Sequence, residues 1–176
     1  MTVELVRPSA SLRPSGYTDG TVMGAAKAYD GIDTGFYSAD FQINPPNGSN
    51  QYAALEYYGF TNRVNIWSTS VLRIDGYYGS SPWSGYLFMN TYYSLDGGST
   101  WTTAQFTMNT NGITQTLSLS ITIPADQILA NLRVKFEMTA SPYAAGLNAF
   151  YQINEMWVEG DFVPFIPGIS SFFQFF

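Results

Sequence analysis

Residues 116–123 read Thr-Leu-Ser-Leu-Ser-Ile-Thr-Ile, an unbroken alternation with Leu117, Leu119, Ile121 and Ile123 on one side and Thr116, Ser118, Ser120 and Thr122 on the other. Successive side chains of an extended chain point to opposite faces, so this period of two gives one face to a core and the other to water. A helix would instead repeat its apolar residues three and four positions apart. Working outward, Leu132, Val134, Phe136 and Met138 repeat the pattern against Asn131, Arg133, Lys135 and Glu137, and Phe150 to Val158 repeats it with Gln152 and Asn154 interrupting the apolar face. Further strands are expected near 2–7, 22–29, 51–59, 63–75, 86–95 and 101–108, bounded by turn clusters such as Asn44-Pro45-Pro46-Asn47-Gly48 and Asp96-Gly97-Gly98. The one helical candidate is a turn or two at Ala125 to Ala130, after Pro124. Eight or nine short strands punctuated in this way predict an all-β fold, an antiparallel β-sandwich of the jelly-roll kind, over residues 1–161. No internal repeat is visible, which argues against a propeller or solenoid.

Composition removes many chemistries. The 176 residues contain no histidine and no cysteine, so Ser-His-Asp and Cys-His nucleophiles, His- or Cys-based zinc sites, His-ligated haem and disulfides are all excluded. Seven basic residues face thirteen carboxylates, a net charge of −6, whereas a nucleic-acid backbone is bound by clustered positive charge. Residues 1–25 carry Glu4, Arg7, Pro8, Arg13 and Pro14 and no continuous apolar stretch, so neither a signal-peptide core nor a membrane helix is expected there. Asn47-Gly48-Ser49 fits a glycosylation acceptor, but without a secretion signal it reads as a turn.

Residues 162–176 differ in kind. Phe162, Phe165, Phe172, Phe173, Phe175 and Phe176 crowd a segment with no charge after Asp161. Such a tail needs somewhere to be buried, either as a last strand on its own sheet or as a contact arm on another subunit.

Ser94-Leu95-Asp96-Gly97-Gly98-Ser99-Thr100-Trp101 matches S-x-D-x-G-x-T-W, the Asp-box of sialidases. That motif is a hairpin turn in which the Asp and hydroxyl side chains bond the backbone, so it is a folding device. A single copy on a chain this short does not make a sialidase.

The order of landmarks resembles a galactose-binding-like domain of the discoidin, or coagulation factor 5/8 type C, kind. The residues that carry the resemblance are Ala28-Tyr29-Asp30-Gly31-Ile32-Asp33-Thr34, Ala54-Leu55-Glu56-Tyr57-Tyr58-Gly59, the hairpin Tyr93 to Trp101, Leu132-Arg133-Val134-Lys135-Phe136, and Ile153-Asn154-Glu155-Met156-Trp157-Val158-Glu159-Gly160. It spans about residues 20–160 and implies a jelly-roll shared with many carbohydrate-binding modules. It also implies a structural calcium ion held by Asp30, Asp33, Thr34 and Glu155, whose oxygens are of the hard type calcium prefers. The loop here is one residue shorter than the family's usual D-G-D-x-x-T. The alternative is an Asx-type turn with Glu155 in solvent. No other cofactor is expected.

Sugar sites in such modules stack aromatic side chains on pyranose rings, and Tyr77, Tyr78, Trp83 and Tyr86 are the platform candidates in the stretch 77–86. The competing reading of these residues is a protein interface. Scattered glutamates give no opposed pair for glycoside hydrolysis, so no enzyme is expected. Two functions follow as expectations. One is a virion structural protein, a phage capsid decoration (cement) or tail-associated protein. It would be assembled in the host cytoplasm, start at its own Met1 without an export signal, and bind other virion proteins or copies of itself through the tail. The other is a carbohydrate-binding module for glycan or host-surface attachment.

Overall fold

The computed structural model describes residues 3–17, 20–31, 39–43, 51–65, 68–81, 87–108, 112–140 and 148–165. In chain order the strands are β1 (Glu4–Val6), β2 (Ala10–Leu12), β3 (Thr21–Met23), β4 (Ala39–Ile43), β5 (Gln51–Tyr58), β6 (Arg63–Val64), β7 (Ser70–Ser80), β8 (Leu87–Ser94), β9 (Thr102–Met108), β10 (Gln115–Ile123), β11 (Arg133–Ala140), β12 (Ala149–Gly160) and β13 (Val163–Pro164). Two sheets face each other. One runs β10-β7-β12-β4-β3 with β1 also paired to β12, and the other runs β2-β5-β11-β8-β9. All of these pairings are antiparallel.

The pairings are nested. β4 lies beside β12, β5 beside β11, β7 beside β10 and β8 beside β9. This is one long hairpin folded over on itself, the double Greek key of a jelly-roll, and the Asp-box turn lies at its tip. There Ser94 Oγ accepts from the Gly98 amide at 2.8 Å, while Asp96 accepts from the Thr100 amide at 2.9 Å and from the Thr100 hydroxyl at 2.6 Å. Gly97 and Gly98 adopt positive φ, which a Cβ would oppose. The motif is therefore the folding device its spacing predicts.

The facing sides meet in an apolar interior threaded by a chain of rings. Tyr29 contacts Tyr57, Tyr57 contacts Phe136, Phe136 contacts Tyr151 and Tyr151 contacts Tyr78, with centroids 5.1–6.1 Å apart. Leu117 and Ile123 are buried at the ends of β10, and β11 alternates without a break between half-buried and buried positions. Each large apolar side chain buried here contributes roughly 1.5–3 kcal/mol relative to exposure.

Several elements differ from expectation. The strand expected at 22–29 ends at Met23 and gives way to a 3-10 turn over Ala25–Tyr29. The strand expected at 63–75 is split, because Asn65 Oδ1 accepts from the Ser68 amide at 3.1 Å and turns the chain before β7. The helical candidate is only a 3-10 turn at Leu129–Asn131. The interruption in Phe150–Val158 is a β-bulge: Tyr151 and Ile153 face the core, the register slips between Ile153 and Glu155, and Met156 and Val158 then take over the inward positions.

Candidate functional site

The bulge has a consequence on the edge of β12. β4 pairs with residues 149–153 of that edge and β1 with 158–160, which leaves a gap at Glu155. Arg7, immediately after β1, and the Asp30–Gly31 turn fill it. Arg7 Nε donates to Glu155 Oε1 at 2.6 Å, and the Gly31 amide donates to Oε2 at 3.0 Å. Glu155 is only 3% exposed, so it is not the solvated residue of the Asx-turn alternative. Burial pushes its carboxyl above the usual carboxylate value, while Arg7 and the Gly31 amide pull it back.

The fit to calcium can be tested on this geometry. Both carboxylate oxygens are engaged, and the cation beside Oε1 is a guanidinium; an ion at the 2.3–2.6 Å that calcium requires would share that oxygen with Arg7 against charge repulsion. Among the described residues no three acidic, histidine or cysteine side chains converge. Asp33 and Thr34 lie outside the described residues. Of the described candidates, Glu155 is already held by Arg7 and the Gly31 amide.

The platform expected at 77–86 is also rearranged. Tyr77 and Tyr78 belong to β7, not to a loop, and therefore point to opposite faces. Tyr77 is exposed on the outer side, whereas Tyr78 is buried with its hydroxyl donating to Gln115 Oε1. They cannot form one stacking surface. Trp83 and Tyr86 lie outside the described residues. Of the tail phenylalanines, Phe162 is buried in its own domain over Gly160 and Ser70, and the Phe165 amide donates to the Asn62 carbonyl at 3.1 Å. The chain thus stays in the fold through Phe165, past the boundary drawn at 161, with the Phe162 ring buried in its own domain and Phe165 tied down by its backbone. Phe172, Phe173, Phe175 and Phe176 lie outside the described residues.

A different surface gathers chemistry. The outward positions of the five-stranded sheet fall into rows fixed by strand register. Tyr52, Thr139, Phe88 and Met108 form the first row, and Ala54, Glu137, Asn90 and Phe106 the second. Glu56, Lys135, Tyr92 and Thr103 form the third. The first two rows carry exposed apolar surface: Tyr52 is 46%, Met108 52% and Phe106 61% exposed, and the rings of Phe88 and Phe106 touch with centroids 5.9 Å apart. Polar groups are set among them. Asn90 is one of them, with its Oδ1 buried beneath the platform and accepting no hydrogen bond.

The third row is charged and closed. Arg133 Nη1 contacts Glu56 Oε1 at 2.6 Å, and Lys135 Nζ lies 3.4 Å from Glu137 Oε2. The Lys135 ammonium is also packed among aromatic faces, 4.7 Å from the centroid of Trp101, 4.8 Å from Tyr92 and 5.8 Å from Tyr17. Tyr17 donates its hydroxyl to Glu137 at 2.5 Å. Burial first, and that carboxylate second, push the phenol well above its usual range, so it remains a donor.

The sequence reading passed over this surface. Its signal is present in the alternation itself: β9 sets Phe106 and Met108 against Gln105 and Thr107 and turns the apolar pair outward, where it meets Phe88 of β8.

No family model matches the chain, and no curated protein sequence matches it. Solved structures similar to it include an arabinose-bound MgGH51 α-L-arabinofuranosidase, with 13% identity over 85% of this chain and 23% of that one and a TM-score of 0.40. They also include the family 61 carbohydrate-binding module TmCBM61 in complex with β-1,4-galactotriose, with 11% identity over 86% and 89% of the two chains and a TM-score of 0.38. A third is the CBM22-1–GH10 part of xylanase 10B from Clostridium thermocellum, complexed with xylohexaose, with 8% identity over 86% and 26% and a TM-score of 0.43. The chain therefore spans about a quarter of the arabinofuranosidase and of the xylanase. At TM-scores below 0.5 these are likenesses only, and the functional reading rests on the side chains of the five-stranded sheet.

Proposed function

We propose that this chain is a carbohydrate-binding module whose ligand lies on the outward face of the five-stranded sheet, over Tyr52, Phe88 and Phe106. One observation carries the reading: the exposed side chains of Tyr52, Phe106 and Met108 lie in register on one sheet face, with the polar residues Thr139 and Asn90 in the same rows. Apolar ring faces with a few fixed polar groups are what a sugar, apolar on its ring faces and hydroxylated at its edges, requires. The two carboxylates of this face are both held in ion pairs. That favours binding over hydrolysis, which needs two carboxyls free to face a glycosidic bond.

The virion expectation gains no support from the described residues, where the Phe162 ring is buried in its own domain. Among the described residues no helix is long and apolar enough to cross a membrane.

The test is affinity electrophoresis against a panel of soluble polysaccharides, followed by calorimetry on a retained one. Phe106→Ala and Tyr52→Ala are each expected to weaken binding at least about tenfold, or roughly 1.4 kcal/mol. Their melting temperatures should stay close to that of the parent, because both side chains are exposed. Undiminished binding in both variants, or loss on Trp83→Ala alone, refutes this site.

A further inference from the structure

The state of the charges on the five-stranded sheet goes one step further and names the class of ligand; the step rests on the glycan reading above. An acidic polysaccharide is ordinarily held by arginine or lysine side chains free to meet its carboxylates or sulfates. The described outward side of β5, β11, β8 and β9 carries two cations, and both are paired with carboxylates of the same face. Arg133 is paired to Glu56 and lies against the Tyr58 ring, 5.6 Å from its centroid. Lys135 is paired to Glu137 and enclosed by Trp101, Tyr92 and Tyr17. The charges of this face sum to zero, and the exposed part of it, around Tyr52, Phe106 and Met108, bears none except the edge of Glu137. A uronate placed there would meet that carboxylate before it met a free cation.

The direction of the platform adds a second constraint. Its apolar positions lie on β5, β8 and β9 of one sheet, so they are spread across the strands, not along one. At the usual strand spacing that span is about 14 Å, wider than a single sugar ring.

We infer that the module takes a neutral polysaccharide, one without carboxylate or sulfate groups, lying across the strands over more than one sugar. The Lys135–Glu137 pair works as the charge filter: each member cancels the charge the other would offer to a ligand.

The test compares neutral chains (a β-glucan, a xylan, a galactan) with polygalacturonate and a sulfated galactan in the same electrophoresis and calorimetry, at low and at high sodium chloride. The expected result is retention on at least one neutral chain, with affinity changing less than about twofold with salt because no exposed ion pair forms, and at least tenfold weaker binding to both anionic chains. Affinity should rise from the monosaccharide to the trisaccharide of the retained polymer. Glu137→Gln supplies the positive arm. It releases the Lys135 ammonium, so binding to polygalacturonate is expected to increase and to become salt-sensitive; Glu56→Gln, which releases Arg133, is the second variant should the first fold poorly. Preference for the anionic chains that is abolished by Phe106→Ala would overturn the neutral class and leave the glycan site standing. Absence of binding to every chain would overturn both.

Discussion

Replacing Arg7 by methionine keeps most of the stem volume and removes the cation from Glu155, a carboxylate buried to 3% exposure in the gap between β1 and β4. Breaking a buried pair by deleting one partner costs about 3–5 kcal/mol, because the other charge is left without compensation. The Arg7 side chain is itself about a third exposed, at 32%, so solvent already screens part of the interaction and the lower end, about 3 kcal/mol, applies. For a domain of this size each kcal/mol moves the melting temperature by about 2–4 °C, so Arg7→Met should melt about 6–12 °C below the parent at neutral pH.

The pH dependence follows from the sign of the carboxyl shift. Glu155 is raised above 4.5 by burial even with Arg7 present, and removing Arg7 takes away the largest influence lowering it. A carboxyl whose folded value exceeds its unfolded value costs stability as pH rises from the unfolded value through the folded one. The deficit of Arg7→Met should therefore be largest near pH 7.5 and shrink as pH falls toward 4.5, where protonation discharges the buried group. Thermal melts by circular dichroism across that range measure it, and Arg7→Met/Glu155→Gln should recover part of the loss in a double-mutant cycle. A shift below about 2 °C, additive behaviour of the two substitutions, or a deficit that grows on acidification would refute the account.

Other consequences are checked more simply. A calcium site filled at a hundred times its Kd would add about 2.7 kcal/mol; with Arg7 already on Glu155, millimolar calcium or a chelator is expected to leave the melting temperature unchanged, and a clear rise with calcium would show that the ion displaces the guanidinium. Gly76 lies where β7 crosses the β12 bulge, and a Cβ there would sit 2.0 Å from the Gln152 carbonyl oxygen. Gly76→Ala is expected to cost about 3 kcal/mol or more by forcing the two strands apart, visible as lost amide protection along both. Asp96 is held down to about 2 by the Thr100 hydroxyl and amide and by Ser94. Its contribution to the hairpin should be intact above the unfolded value of 3.8 and fade as pH falls through about 2, with an NMR titration midpoint near 2 as the direct reading and an ordinary carboxylate midpoint as the contrary result.

The Asp-box and the strands at Leu117–Ile123 and Leu132–Met138 were legible because their information is local. A hairpin turn is specified by the side chains that bond its own backbone, and a half-buried strand announces itself by alternation. Short strands such as Ala10–Leu12 and Ala39–Ile43 offer too few residues to show a period, and the 3-10 turn at Ala25–Tyr29 sits where apolar residues imitate strand.

The sequence by itself determined the all-β class, the jelly-roll expectation and the chemistry that the missing histidine and cysteine exclude, because these depend on composition and on near neighbours in the chain. Register was decided by tertiary structure. The slip at Asn154 exchanges the inward and outward positions of β12 and turns Glu155 toward Arg7, 148 positions away, so the carboxylate is fastened by a guanidinium that nothing near it in the chain foretells. The same pairing across four strands lines up Tyr52, Phe88, Phe106 and Asn90, which have no pattern in common along the chain. A binding face of this kind is a property of strands side by side, and only the hydrogen-bonded ladder that sets their order can bring it together.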